Sequence, residues 1–154
     1  MENSYNIQEI RILPMDKKEE FTTLEKVRRF LAVELIQRDG KYYYRERGMN
    51  IKGGHVLVLF QYDTSIIGYG ILEDMIPDVC TDTINGKTVQ YKGYFQFSAM
   101  SLHNISSISL SEIQQIDKRI THLSNPKWHI DMEYFDEVYH LLLQKQMEFA
   151  QDKF

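Results

Sequence analysis

Two apolar runs dominate the middle of the chain. His55-Val-Leu-Val-Leu-Phe-Gln61 is nearly continuous in aliphatic and aromatic residues, the pattern of a strand buried on both faces. Ile66-Ile-Gly-Tyr-Gly-Ile-Leu72 repeats that character after a polar break at Tyr62-Asp-Thr-Ser65, so the two runs predict a hairpin. Gly68 and Gly70 flank Tyr69 inside the second run. Glycine within a strand marks a bulge, a tight bend or the close approach of another group. A strongly curved hairpin follows, and such a hairpin is the natural centre of a small β barrel.

The flanking patterns supply the other elements. Ile7 to Leu13 reads as a short strand ended by Pro14, and Thr22-x-x-Glu25 has the form of a capping box. The helix it opens carries an apolar stripe at Leu24, Val27, Phe30, Leu31, Val33 and Leu35. Asp39-Gly40 ends it, with Gly40 placed for a left-handed cap. Lys41-Tyr-Tyr-Tyr-Arg-Glu-Arg47 is extended, and Gly48 with Gly53-Gly54 turns the chain into the central hairpin. Pro77 breaks the second hairpin strand. Val79 to Ile84 and Thr88 to Phe97 then pair about Asn85-Gly86, a strong short-range hairpin signal, with Gly93 marking a bulge. Ala99 to Ile108 adds a strand. Ser109-x-x-Glu112 caps a helix from Ser111 to about Ile120, Asn125 to Trp128 is a loop, and a last helix spans Met132 to Ala150. The expectation is one α+β domain over 1–154, a curved antiparallel or mixed β barrel with one N-terminal and two C-terminal flanking helices.

Charge and chemistry narrow the functional classes. A net charge of −4 supplies no whole-molecule field for nucleic acid, yet Arg38 to Lys52 holds five Lys or Arg against two Asp or Glu, a local basic stretch that is either a binding face or a solvated surface. The single cysteine, Cys80, excludes an internal disulfide and fits a reducing compartment. With neither a secretory leader nor a long apolar run, a cytoplasmic protein without membrane contact is expected. His122, His129 and Asp131 match no zinc spacing, and His122, Asn125 and His129 lack the span of an HNH nuclease, so neither a metal nor a cofactor is predicted. Pro77-Asp78 with Gln90-Tyr-Lys92, and Glu34 as a third acid, loosely matches the PD-(D/E)xK nuclease pattern, and a metal-dependent nuclease is one alternative. No glycine-rich phosphate loop or Gly-x-Ser-x-Gly elbow is present.

Aromatic residues are the remaining signal, with ten Tyr and eight Phe. Tyr42, Tyr43, Tyr44, Arg45 and Arg47 precede the hairpin; Phe60, Gln61 and Tyr62 close its first strand; Tyr94, Phe95 and Phe97 come later, and Trp128 lies in the last loop. Such rings either fill the core or stack on bases, with Gln reading a base edge and Arg holding phosphates.

Lys52-Gly-Gly-His-Val-Leu-Val-Leu-Phe-Gln-Tyr62, followed by Ser65-Ile-Ile-Gly-Tyr-Gly-Ile-Leu72, resembles the PUA-like superfamily and within it the EVE-like domains. Ser106-Ser-Ile-Ser-Leu-Ser-Glu-Ile113 resembles the family's passage from strand to C-terminal helix. The resemblance implies a PUA-like barrel that reads a modified or flipped base, as in modification-dependent restriction proteins, beside a fused or partner nuclease. It implies pocket residues at Phe60, Gln61 and Tyr62, with walls from Tyr94 to Phe97 and Trp128. Tyr44, Arg45 and Arg47 complete the predicted nucleic-acid site, Arg28 and Arg29 assist on the phosphates, and DNA ranks ahead of RNA. A non-catalytic binding module is the leading expectation, and a protein-interaction module using exposed Tyr and Trp is the third reading.

Overall fold

The structure is a computed structural model and describes residues 6–15, 21–45, 51, 54–84, 86–124 and 129–152. Its strands are β1 (Ile7–Met15), β2 (Lys41–Tyr44), β3 (His55–Tyr62), β4 (Ser65–Ile84), β5 (Lys87–Phe97), β6 (His103–Ser109) and β7 (His129–Ile130). The helices are α1 (Leu24–Arg29), which runs through a π turn (Phe30–Glu34) into α2 (Leu35–Gln37), then α3 (Leu110–Ile116) and α4 (Phe135–Asp152).

Among the described residues the strands form one sheet in the order β2-β5-β4-β3-β1-β7, with β6 also paired to β4. β1 and β3 run parallel; the other pairs are antiparallel. β4, 20 residues long, is the hub. Its first part pairs with β3 and β6, and from Leu72 onward it pairs with β5. Register shifts fall at Ile66/Gly68, Leu72/Asp74 and Pro77/Cys80, and each such bulge bends the strand.

The sheet does not close into the expected barrel: β2 ends it on one side and β7 on the other. The reason lies in β3. Its even positions, Val56, Val58, Phe60 and Tyr62, pack with Val27, Phe30, Leu31 and Leu35 of the N-terminal helix. Its odd positions, Leu57 and Leu59, pack with Ile113 of α3 and Val138 and Leu142 of α4. Helices cover both faces, so apolar side chains are buried without the sheet curling upon itself.

Several boundaries move for local reasons. Thr23 caps α1, its side chain accepting from the Lys26 N–H, while the Thr22 hydroxyl accepts from Lys26 Nζ. The cap therefore sits one residue further on, and with Lys26 at the third position the reciprocal half of the predicted box is missing. The Ser109–Glu112 capping box forms as expected. Gly40 adopts φ +80 and its N–H reaches the Leu35 carbonyl, the left-handed C-terminal cap. Pro14 stays within β1, opposite Gln61, beyond the two positions where β7 pairs with β1, at a strand position flanked on one side only among the described residues, where sheets tolerate proline. Pro77 likewise bends β4 without ending it, opposite Gly93 where the register slips. A Cβ on Gly93 would lie 2.5 Å from the Ile76 carbonyl oxygen, so glycine lets the two strands close at that bend. Gly86, at φ +79, joins β4 to β5, whereas Asn85, Gly48 and Gly53 lie outside the described residues.

Candidate functional site

The three consecutive tyrosines of β2 divide by strand alternation, since successive side chains point to opposite faces. Tyr42 turns inward, stacking on Phe60 at 6.3 Å with planes 6° apart and meeting Phe30 edge-on at 5.4 Å. Tyr44 also packs on the core, 4.9 Å from Phe95. Tyr43 takes the opposite face, where it pairs across strands with Tyr94. The rings of Tyr43 and Tyr94 are 5.2 Å apart, Tyr91 lies 5.5 Å from Tyr43, and the Lys41 ammonium stands 5.3 Å from the centre of the Tyr94 ring. Tyr43 and Tyr94 are half-buried and Tyr91 is buried. This tyrosine face, on the terminal strand and its neighbour, is the candidate site.

Its electrostatics are mixed. The Tyr43 phenol is pushed up by burial and then by Asp78 and Cys80, with Lys41 pulling the other way. A carboxylate and an ammonium therefore both act on the same ring. The Cys80 thiol is itself pushed up, by desolvation and by Asp78 and Asp82, which is the reverse of what an activated nucleophile needs.

The residues singled out from the sequence are scattered by the fold. Phe60 and Phe97 are fully buried, 5.3 Å apart. Tyr62 is buried, and its hydroxyl donates to the Phe21 carbonyl at 2.7 Å. Gln61 is buried and its amide donates to the Asp63 carbonyl in the hairpin turn. Tyr44 faces the core, Arg45 follows the end of β2, and Tyr94 stands on the outer face. Arg47 and Trp128 lie outside the described residues. Arg28 is tied into the fold: its guanidinium donates to the carbonyls of Ile105 at 2.9 Å and Ile67 at 3.4 Å and covers the Phe149 ring at 4.7 Å. Asp78 and Lys92, the centre of the nuclease alternative, are exposed on the part of β4 and β5 that extends past β2. Among the described residues no three His, Cys, Asp or Glu side chains gather as a metal site would require.

Of β2 and its tyrosine partners, Tyr44 and Tyr94 are expected site residues from the sequence, whereas Lys41 and Tyr43 are not. Period-2 alternation starting from an inward Tyr42 would have found them, but the sequence does not say which of three identical residues faces in.

The class this defines is an α+β protein with an open, mostly antiparallel sheet between two helical layers and a tyrosine face at one end. Neither a family model, nor a curated protein, nor a solved structure matches the chain. Among the described residues no helix is long and apolar enough to cross a membrane.

Proposed function

We propose that this chain binds nucleic acid by stacking bases on the Tyr43–Tyr94 face, with Lys41 holding a neighbouring phosphate. The observation that carries this reading is the cluster of two half-buried tyrosine rings 5.2 Å apart with an ammonium over one of them. Stacking on an aromatic ring is worth about 1–3 kcal/mol per base and tolerates any base. Asp78 acts on the same tyrosine, so the phosphate path runs along Lys41, away from that carboxylate. An unpaired strand suits this surface better than a duplex, because its bases are already free to stack. The likeness of the central hairpin to PUA-like domains points toward nucleic acid too. The interior pocket for a flipped base draws no support from fully buried Phe60 and Phe97.

Fluorescence anisotropy with labelled single-stranded DNA and RNA of mixed sequence tests this. Tyr43→Ala and Tyr94→Ala are each expected to weaken binding by roughly 5- to 150-fold, the equivalent of one lost stack. Lys41→Gln should flatten the salt dependence by about one phosphate contact. Failure of the wild-type chain to bind either polymer at low salt, or unaltered binding by both tyrosine variants, would end the proposal. A second reading comes from β2 being the terminal strand of the sheet among the described residues: a partner's extended segment adds to it, with the tyrosines as anchors. That reading predicts a complex that survives nuclease treatment and high salt.

A further inference from the structure

A second polar cluster lies away from the tyrosine face, where α4 crosses β4 and β6. The Tyr69 hydroxyl donates to Gln146 Oε1 at 2.5 Å, and Gln146 Nε2 stands 3.3 Å from His103 Nδ1. The Tyr69 and His103 rings are 5.2 Å apart. Tyr69 is buried and its phenol is pushed far up, by burial first and then by Tyr139, so it stays a proton donor. With Oε1 taken by that proton, the amide presents only N–H toward His103, and Nδ1 must offer a lone pair. The chain of hydrogen bonds thus has one direction, Tyr69 to Gln146 to His103, and requires a neutral imidazole protonated at Nε2.

We propose that His103 is a protonation switch for the C-terminal half of α4: neutral, it anchors Gln146; protonated, it presents a second donor to the same amide and releases the last turns of the helix. The two halves of α4 are held differently. Phe135, Val138 and Leu142 bury the first half in the core, whereas residues from Leu143 to Asp152 include none that is buried. The contacts that hold that second half include the Gln146 bridge, the Arg28–Phe149 contact, and Lys145 with Glu112 of α3 at 3.1 Å.

Flipping the amide does not rescue the charged state. Gln146 would then accept from His103, but the Tyr69 hydroxyl would lose its acceptor inside the protein, and a second cation would sit beside the Arg28 layer. Around this bridge stand Arg28 of α1, which donates to the Ile105 and Ile67 carbonyls, Tyr69 of β4 and Glu112 of α3. On α4, Tyr139 acts on the Tyr69 phenol and Lys145 is shared between Glu112 and Glu148, while Asp136, Glu137, His140 and Asp152 are the other ionisable groups of that helix. Among the described residues no acid hydrogen-bonds to the imidazole, and burial holds its basicity below the ordinary histidine value. A native value below the unfolded one means that the closed state binds fewer protons. The latch is therefore intact above about pH 6.5 and is lost as pH falls from there through the native value, the opening constant rising up to about tenfold per pH unit in that window.

Hydrogen exchange of the α4 amides in the full chain, corrected for intrinsic rates from about pH 7.5 to about pH 5, tests it, alongside an NMR titration of His103. Expected are a rise in opening for Leu143 to Asp152 alone, a flat profile in His103→Gln, and an inverted profile in Gln146→Glu, whose carboxylate favours the imidazolium. An equal rise in His103→Gln, or a His103 midpoint at or above the ordinary histidine value in the wild type, would overturn the switch. Should His103→Gln not fold, the direction of the Gln146→Glu profile decides.

Discussion

Truncating Phe60 to alanine separates a core ring from a binding ring. Phe60 is fully buried, stacked on Tyr42 at 6.3 Å and tilted against Phe97 at 5.3 Å. Removing such a ring deletes its transfer free energy and leaves a cavity that neighbours on a sheet cannot collapse into, about 3–5 kcal/mol in sum. The walls are two strands and a helix, Phe30 and Leu31 sharing the same apolar layer, so relaxation is limited and the upper part of that range is expected. For a chain of this size the melting temperature should fall by about 6–20 °C, at 2–4 °C per kcal/mol. Tyr94→Ala is the control: on the outer face and half-buried, it should cost about 1 kcal/mol or less. Urea denaturation of both variants, with the slope checked for constancy, gives the comparison. A loss below about 1 kcal/mol for Phe60→Ala would refute the packing argument and return Phe60 to the list of binding residues.

Other substitutions probe single links. Tyr62→Phe should destabilise by about 1–3 kcal/mol, because the buried Phe21 carbonyl loses its 2.7 Å donor; denaturation midpoints read this. Gly68→Ala places a Cβ 2.7 Å from Leu31 Cδ1 and 2.9 Å from the His103 carbonyl oxygen, an overpacking penalty of about 1–3 kcal/mol visible as a lowered midpoint with chemical-shift changes at Leu31. Ser109→Ala removes the side-chain half of the α3 capping box and leaves the backbone N–H of residue 109 donating to Glu112, which should cost about 1 kcal/mol and speed amide exchange in α3. Asp117 is buried and accepts from Arg119 Nε and Nη2, and the Arg119 hydrogen bonds are the largest cause holding its carboxyl below the usual range. Its stabilising contribution is therefore present above about pH 4 and lost as pH falls through the native value; Asp117→Asn should flatten acid unfolding there, and an unchanged acid limb would refute the assignment.

Local rules accounted for much of the architecture. The two-faced burial of β3, the hairpin at Asp63-Thr64, the Ser109–Glu112 cap and the Gly40 terminus follow from residue types a few positions apart, and each is decided by forces that act within one or two turns of chain. The π turn at Phe30–Glu34 left no such trace, since it depends on what the helix packs against: the Arg28 carbonyl just before it accepts from Asn104 on β6, 2.9 Å away and 76 residues on.

What the sequence determined on its own was the inventory: an α+β chain, helices at both ends, a central apolar hairpin and a surplus of aromatic rings. What only the tertiary structure decided was which side each ring faces and whether the sheet closes. Tyr42, Tyr43 and Tyr44 are chemically identical, and the pairing of β2 with β5 alone sends the first and third into the core and the second outward. Closure is likewise a global balance, because a sheet whose two faces are both covered by helices gains no further burial by joining its edges.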